Sequence, residues 1–207
     1  MNNTNKVLLT PFLSMLLISA TQANDILDKI YISAHSGYAS SNINTGEVQN
    51  AFDKEGLNAT VLSVDDSRYG YGLGVGYAIT PKWSTELNYL DLGQVKVKFS
   101  SPDAIKTLEK VHPESGNGLT LSGIYRYALN DNAHFRVRAG LFNWYADYKT
   151  TNGAGNPTTT DSYSGTNFYW GLGFGYRISN SLNIITEIQR FEFENQETNY
   201  LRLGLEW

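Results

Sequence analysis

From Ile30 to Trp207 the sequence keeps alternating bulky apolar residues with glycine, small polar or charged ones. A period of two belongs to strands whose two faces meet different surroundings. Tyr69, Tyr71, Leu73, Val75, Tyr77 and Ile79 alternate with Gly70, Gly72, Gly74, Gly76 and Ala78, and the stripe Leu201, Leu203, Leu205 and Trp207 alternates with Arg202, Gly204 and Glu206. A bare stripe of this kind is an aggregation hazard on a soluble sheet, so it requires a paired edge and an apolar surrounding.

Eight segments carry the pattern, beginning near Ile30, Tyr69, Trp83, Leu119, Phe135, Phe168, Leu182 and Leu201. The third is expected to run on through Val95, Val97 and Phe99. Tight turns are predicted at Pro81–Lys82, at Asn130–Asn132 and at Asn180, a short loop near Asn195, and long polar outer loops near 40–66, 100–115 and 149–166. Beyond residue 23 no stretch approaches the roughly 18–20 apolar residues of a spanning helix, and the remaining way to satisfy every amide in lipid is a closed barrel. The predicted fold is all-β, an eight-stranded antiparallel up-and-down transmembrane β-barrel, with the first strand closing against the last. A soluble sandwich or lipocalin-like barrel would turn its large residues inward, whereas here glycines and charges oppose them.

The start of the chain agrees with that destination. Lys6 is the only charge ahead of the largely apolar run from Val7 to Ala20, and Thr21, Gln22 and Ala23 form a small-residue ending, so residues 1–23 read as a cleaved signal peptide and 24–207 as the barrel domain. Removing them leaves 15 bases against 20 acids, with the bases dispersed, which argues against nucleic acid. The lack of cysteine excludes disulfides, thiolate catalysis and lipoprotein-type acylation.

If the apolar stripes face lipid, Glu86, Arg126, Arg136, Arg138, Arg177, Glu187, Arg202 and Glu206 face a narrow lumen, and acids and bases must interleave there. Glu86, Arg138, Glu187 and Arg202 fall five to seven residues from the short-turn rim, at one level. The expectation is a cross-lumen ion network without a wide pore. Aromatics form two girdles, with Tyr77, Trp83, Tyr127, Phe135, Tyr176 and Trp207 by the short turns, and Tyr38, Tyr69, Tyr89, Phe142, Phe168 and Trp170 by the long loops. The glycine runs GLGVGY (72–77) and GLGFGY (171–176) precede no helix, so they are not nucleotide fingerprints; inward glycines make room for neighbouring side chains.

The run Val64–Gly93, with Asp65, Asp66, Gly72, Gly74, Gly76, Tyr77, Pro81, Glu86, Tyr89, Asp91 and Leu92, resembles the OmpA-like group of small outer-membrane barrels. Tyr31–Tyr38, Gly123–Gly140 and the terminal aromatic are similar too, so the resemblance spans nearly all of the mature chain. It implies insertion by the outer-membrane assembly machinery of a Gram-negative bacterium, with Leu201, Leu203, Leu205 and Trp207 as the assembly signal, and a place for Glu86 and Arg138 in the lumen network. Only the barrel is present, without the periplasmic peptidoglycan-binding domain, so cell-wall anchoring is not implied.

Among function classes, an enzyme would need a histidine polarised by a carboxylate. His35 is inward, His134 lies by a short turn, and His112 shares the second loop with Glu114 and Ser115 at a spacing that matches no catalytic motif. No enzyme, cofactor or metal is therefore expected, the three histidines being too scattered for ligation. The favoured role is structural or surface-interacting, with contacts to outer-membrane lipid, lipopolysaccharide and a host or cell-surface ligand through the loops. A small porin-like channel and a lipid-modifying enzyme are the alternatives.

Overall fold

The computed structural model describes residues 27–54, 56, 60–93, 96–99, 116–151, 157–192 and 197–207. The expected signal peptide and second outer loop, with His112, Glu114 and Ser115, lie outside them. Eight strands form one closed antiparallel barrel: β1 (Ile30–Ser41), β3 (Ser67–Ala78), β4 (Trp83–Asp91), β6 (Asn117–Ala128), β7 (Ala133–Thr151), β8 (Pro157–Ser179), β9 (Leu182–Glu192) and β10 (Glu197–Glu206). Helix α1 (Thr45–Lys54) and the two-stranded sheet of β2 (Val61–Asp65) with β5 (Lys96–Phe99) lie outside it.

Closure is made where β1 meets β10, from Ser33↔Glu206 to Ser41↔Thr198. Trp207 extends this seam, giving its amide to Ile32 O at 2.9 Å and accepting from Ile32 N at 2.7 Å. The stagger of the barrel can be read by passing from partner to partner. Ile30 leads to Tyr77, Thr85, Gly123, Ala139, Trp170, Arg190 and Asn199, and the path re-enters β1 at Ser40, ten residues above its start. A shear of ten over eight strands tilts them steeply and leaves an interior just wide enough to be filled by side chains.

The pleat sorts the two faces as the alternation requires. Ile32, Leu73, Val75, Leu87, Leu121, Leu141, Phe174, Ile188 and Leu203 point outward. At the short-turn rim Trp83, Tyr127, Tyr176 and Trp207 are exposed, as are Tyr38, Tyr69, Tyr89 and Phe168 toward the other rim. Phe142 departs from the girdle assignment: it follows the outward Leu141, so the pleat turns it inside, where it is fully buried.

Three further segments differ from the sequence reading. The third predicted strand does not run through to Phe99, because β4 stops at Asp91, whose carboxylate accepts from Gly93 N at 2.8 Å while Gly93 takes a φ of 75°, a turn only glycine makes without strain. Beyond it, β5 pairs with β2 (Asp65↔Lys96, Val64↔Val97), so the β3–β4 ribbon continues above the barrel after a break. The loop expected at 40–66 holds α1, capped by Asn44 Oδ1, which accepts from Glu47 N at 3.0 Å, and Val48 and Phe52, four residues apart, are both buried. The loop expected at 149–166 is strand up to Thr151 and from Pro157, paired Thr151↔Pro157, whereas β6 ends against Tyr145. At about 3.3 Å per residue the β7–β8 ribbon therefore rises on the order of 20 Å past its neighbours.

Packing inside depends on small residues opposite large ones. A Cβ on Gly76 would enter the Tyr31 ring, while one on Gly123, on the outer face, would meet nothing within 4 Å. Gly76→Val should cost about 1–3 kcal/mol of overpacking, measured by urea unfolding in lipid vesicles, and Gly123→Ala should leave the midpoint nearly unchanged.

Candidate functional site

The strands deliver two chemically distinct layers to the lumen. The one nearer the short turns is ionic. Arg138 on β7 gives Nη1 to Glu86 on β4 and Nε to Glu187 on β9, both at 2.8 Å, and Nη1 also donates to Ser122 Oγ at 2.7 Å. Glu187 also receives Arg202 Nη2 at 3.2 Å, Gln189 Nε2 at 2.7 Å and, more distantly, Arg136 Nε at 3.6 Å. Below them Glu206 is shared by Arg136 Nη1 at 2.8 Å and Arg126 Nη2 at 2.9 Å. Arg126 is held further by Ser84 Oγ at 2.7 Å and by the Tyr31 ring, 5.2 Å from its guanidinium carbon.

Glu86, Arg136, Arg138 and Glu187 are each 1% exposed. Charges so deep in a barrel are tolerable only when paired, because an isolated ion loses several kcal/mol of solvation. Inward glycines create the space: a Cβ on Gly171 would press on Glu187 Oε1, and one on Gly173 on the Glu187 backbone. Seven of the eight predicted lumen residues, Glu86, Arg126, Arg136, Arg138, Glu187, Arg202 and Glu206, join this connected set. Arg177 does not: the β8–β9 register shifts between Arg177 and Ser179, at the inner rim, and Arg177 stays exposed.

The second layer, toward the outer loops, escaped the sequence reading. Ala39, Leu90, Leu92, Phe142, Trp144, Tyr169, Phe191 and Tyr200 form one buried apolar cluster. Tyr169 stacks on Phe191 with centroids 4.9 Å apart, and Phe142 meets Phe191 edge-on at 5.4 Å. The Tyr200 ring reaches across the positions where Gly37 and Gly70 would carry a Cβ. Their phase was the available signal, since Phe191 and Tyr200 lie two residues from the inward Gln189 and Arg202. His35 joins the layers, its Nε2 lying 3.1 Å from Asn88 Nδ2 and its Nδ1 3.2 Å from the Tyr200 hydroxyl.

Above both layers Arg68 ties the outer rim together, donating to Leu92 O at 3.0 Å, Ser41 Oγ at 2.7 Å and Asp66 O at 3.0 Å. His134 is half-buried by a short turn, away from His35. Among the described residues, no group of three or more His, Asp and Glu could hold a metal ion. The stripe Leu201, Leu203, Leu205 and Trp207 lies outward on and just past β10.

The chain is similar to several solved structures. Neisserial surface protein A aligns over 86% of this chain and 95% of its own, with 13% identity and a TM-score of 0.54. The N-terminal barrel of Pseudomonas aeruginosa OprF aligns over 85% and 97%, with 13% identity and a TM-score of 0.49. For Ail of Yersinia pestis the shares are 86% and 99%, the identity 14% and the TM-score 0.47. No curated protein matches the sequence. The family described as outer membrane protein beta-barrel domain matches residues 10–207. With its closed eight-stranded wall, apolar outside and charged within, the chain belongs to that family and is an integral outer-membrane barrel.

Proposed function

We propose that this barrel is a filled membrane scaffold that presents its outer segments for recognition, and that it neither conducts nor catalyses. The observation that carries the reading is the occupancy of the lumen: Arg136, Arg138, Glu86 and Glu187 occupy its middle, and Phe142, Phe191 and Tyr200 lie buried over them. A rigid wall then holds α1, the β2–β5 extension and the β7–β8 ribbon clear of the membrane, where recognition commonly resides. A cell-surface or host ligand would meet those segments, and lipopolysaccharide would surround the outer girdle.

One observation favours the channel reading. Ser33 Oγ, Glu86 Oε2, Asn88 Oδ1, Arg138 Nη2 and Arg202 Nε are buried without a hydrogen-bond partner, and such groups suit internal water. Recordings of the refolded protein in planar bilayers separate the two. The filled scaffold predicts no steady conductance; steady current that changes with Arg138→Met or Glu187→Gln would overturn it.

The terminal strand is proposed as the signal read by the assembly machinery, with Trp207 also closing the seam through Ile32. Deleting Trp207 should lower the amount of heat-modifiable protein in outer membranes at least severalfold, while protein refolded in detergent still shows the barrel shift on gels. Unchanged membrane levels would refute that role.

A further inference from the structure

We infer that the lumen is closed by two seals in series, the Arg/Glu network and a separate aromatic seal above it, so that releasing the salt bridges does not by itself open the barrel. This rests on the filled-scaffold reading and adds a second barrier to it. The two layers use different chemistry. The lower one consists of guanidinium and carboxylate groups that water and ions can compete for. The upper one is Leu90, Leu92, Phe142, Tyr169, Phe191 and Tyr200, all at most 1% exposed.

The rings come from successive strands β7, β8, β9 and β10, and Leu90 stands on β4 across the lumen. On β1 and β3 the facing positions are Gly37 and Gly70, and the Tyr200 ring fills the space they leave. The apolar layer thus reaches from wall to wall. An ion passing it would have to shed its hydration between apolar side chains, the physics by which apolar constrictions block conduction. The ring contacts Tyr169–Phe191 and Phe142–Phe191 involve none of the network's arginines or glutamates, and the polar contact that Tyr200 makes toward the layer below is with His35, which in turn reaches Asn88. Loosening Arg138 leaves those ring contacts in place.

The test compares four forms in planar bilayers: wild type, an ionic variant (Glu86→Gln, Arg138→Met, Glu187→Gln), an aromatic variant (Phe142→Ala, Phe191→Ala, Tyr200→Ala) and the combination. Both partial variants should stay silent, and the combination should pass steady current at least tenfold above either. Steady current in the ionic variant alone, with wild type silent, would overturn the second seal while leaving the filled scaffold standing. Current in wild type would defeat the scaffold reading itself. A combination that folds and stays silent also contradicts the inference.

Should the combination not fold, labelling gives the answer, because the chain has no cysteine of its own. Ser122→Cys lies below the aromatic layer, beside Arg138. A charged methanethiosulfonate added on the outer-loop side of proteoliposomes should modify it at least tenfold faster after Phe142→Ala with Phe191→Ala than before. An unchanged rate would overturn the proposal.

Discussion

A guanidinium shared between two carboxylates in the middle of the barrel is the interaction around which this molecule is arranged. Arg138 bridges Glu86 and Glu187, and Glu187 in turn reaches Arg202 and Arg136. With lipid outside, the wall must be apolar outward and closed, so the charged side chains along its middle are driven into a lumen too narrow to hydrate freely. Charges placed there must meet their opposites. The ten-residue stagger performs that matching, because it brings residues of β4, β7, β9 and β10 to one level although they are far apart in sequence.

The glycine repeats acquire their meaning from the same crowding. Gly171 and Gly173 lie beside Glu187, Gly76 beneath the Tyr31 ring, and Gly37 and Gly70 beneath Tyr200. Each removes a side chain where a neighbour extends one, so layers of rings and ions fit an interior with no spare width. The charged layer and the aromatic one stay distinct, with His35 placed between Tyr200 and Asn88.

Much of this was legible in the residues because strands between two solvents must alternate. The runs Tyr69–Ile79 and Phe168–Ile178 mark their faces by glycines opposite bulky residues, and Arg136 and Arg138, which flank the outward Val137, could only be lumenal. What escaped did so for physical reasons. Phe142, Phe191 and Tyr200 are large and apolar yet face inward, so size alone assigns them to the wrong solvent; only their phase against Arg138, Gln189 and Arg202 reveals the layer, which Tyr169, opposite the outward Phe168 and Trp170, completes. Arg177 has the right phase, but the register shift near the turn removes it from the network. Helix α1 buries little beyond Val48 and Phe52, leaving the Asn44–Glu47 cap as its main signature. The β2–β5 extension is stabilised by pairing between segments well apart in sequence (Asp65↔Lys96) and the β7–β8 one by hairpin pairing (Thr151↔Pro157), and in both a local polar composition conceals the strands.

The central claim is that Arg138 and Glu187 act as one buried unit that holds the lumen together. A double-mutant cycle of Arg138→Met and Glu187→Gln, followed by urea unfolding of the barrel in lipid vesicles, tests it most directly. Each single change strands a partner charge and should cost about 3–5 kcal/mol. The pair should cost clearly less than the two singles together, with a coupling of about 1–3 kcal/mol. Single costs below about 1 kcal/mol that simply add would contradict the account, since exposed, hydrated ion pairs behave that way.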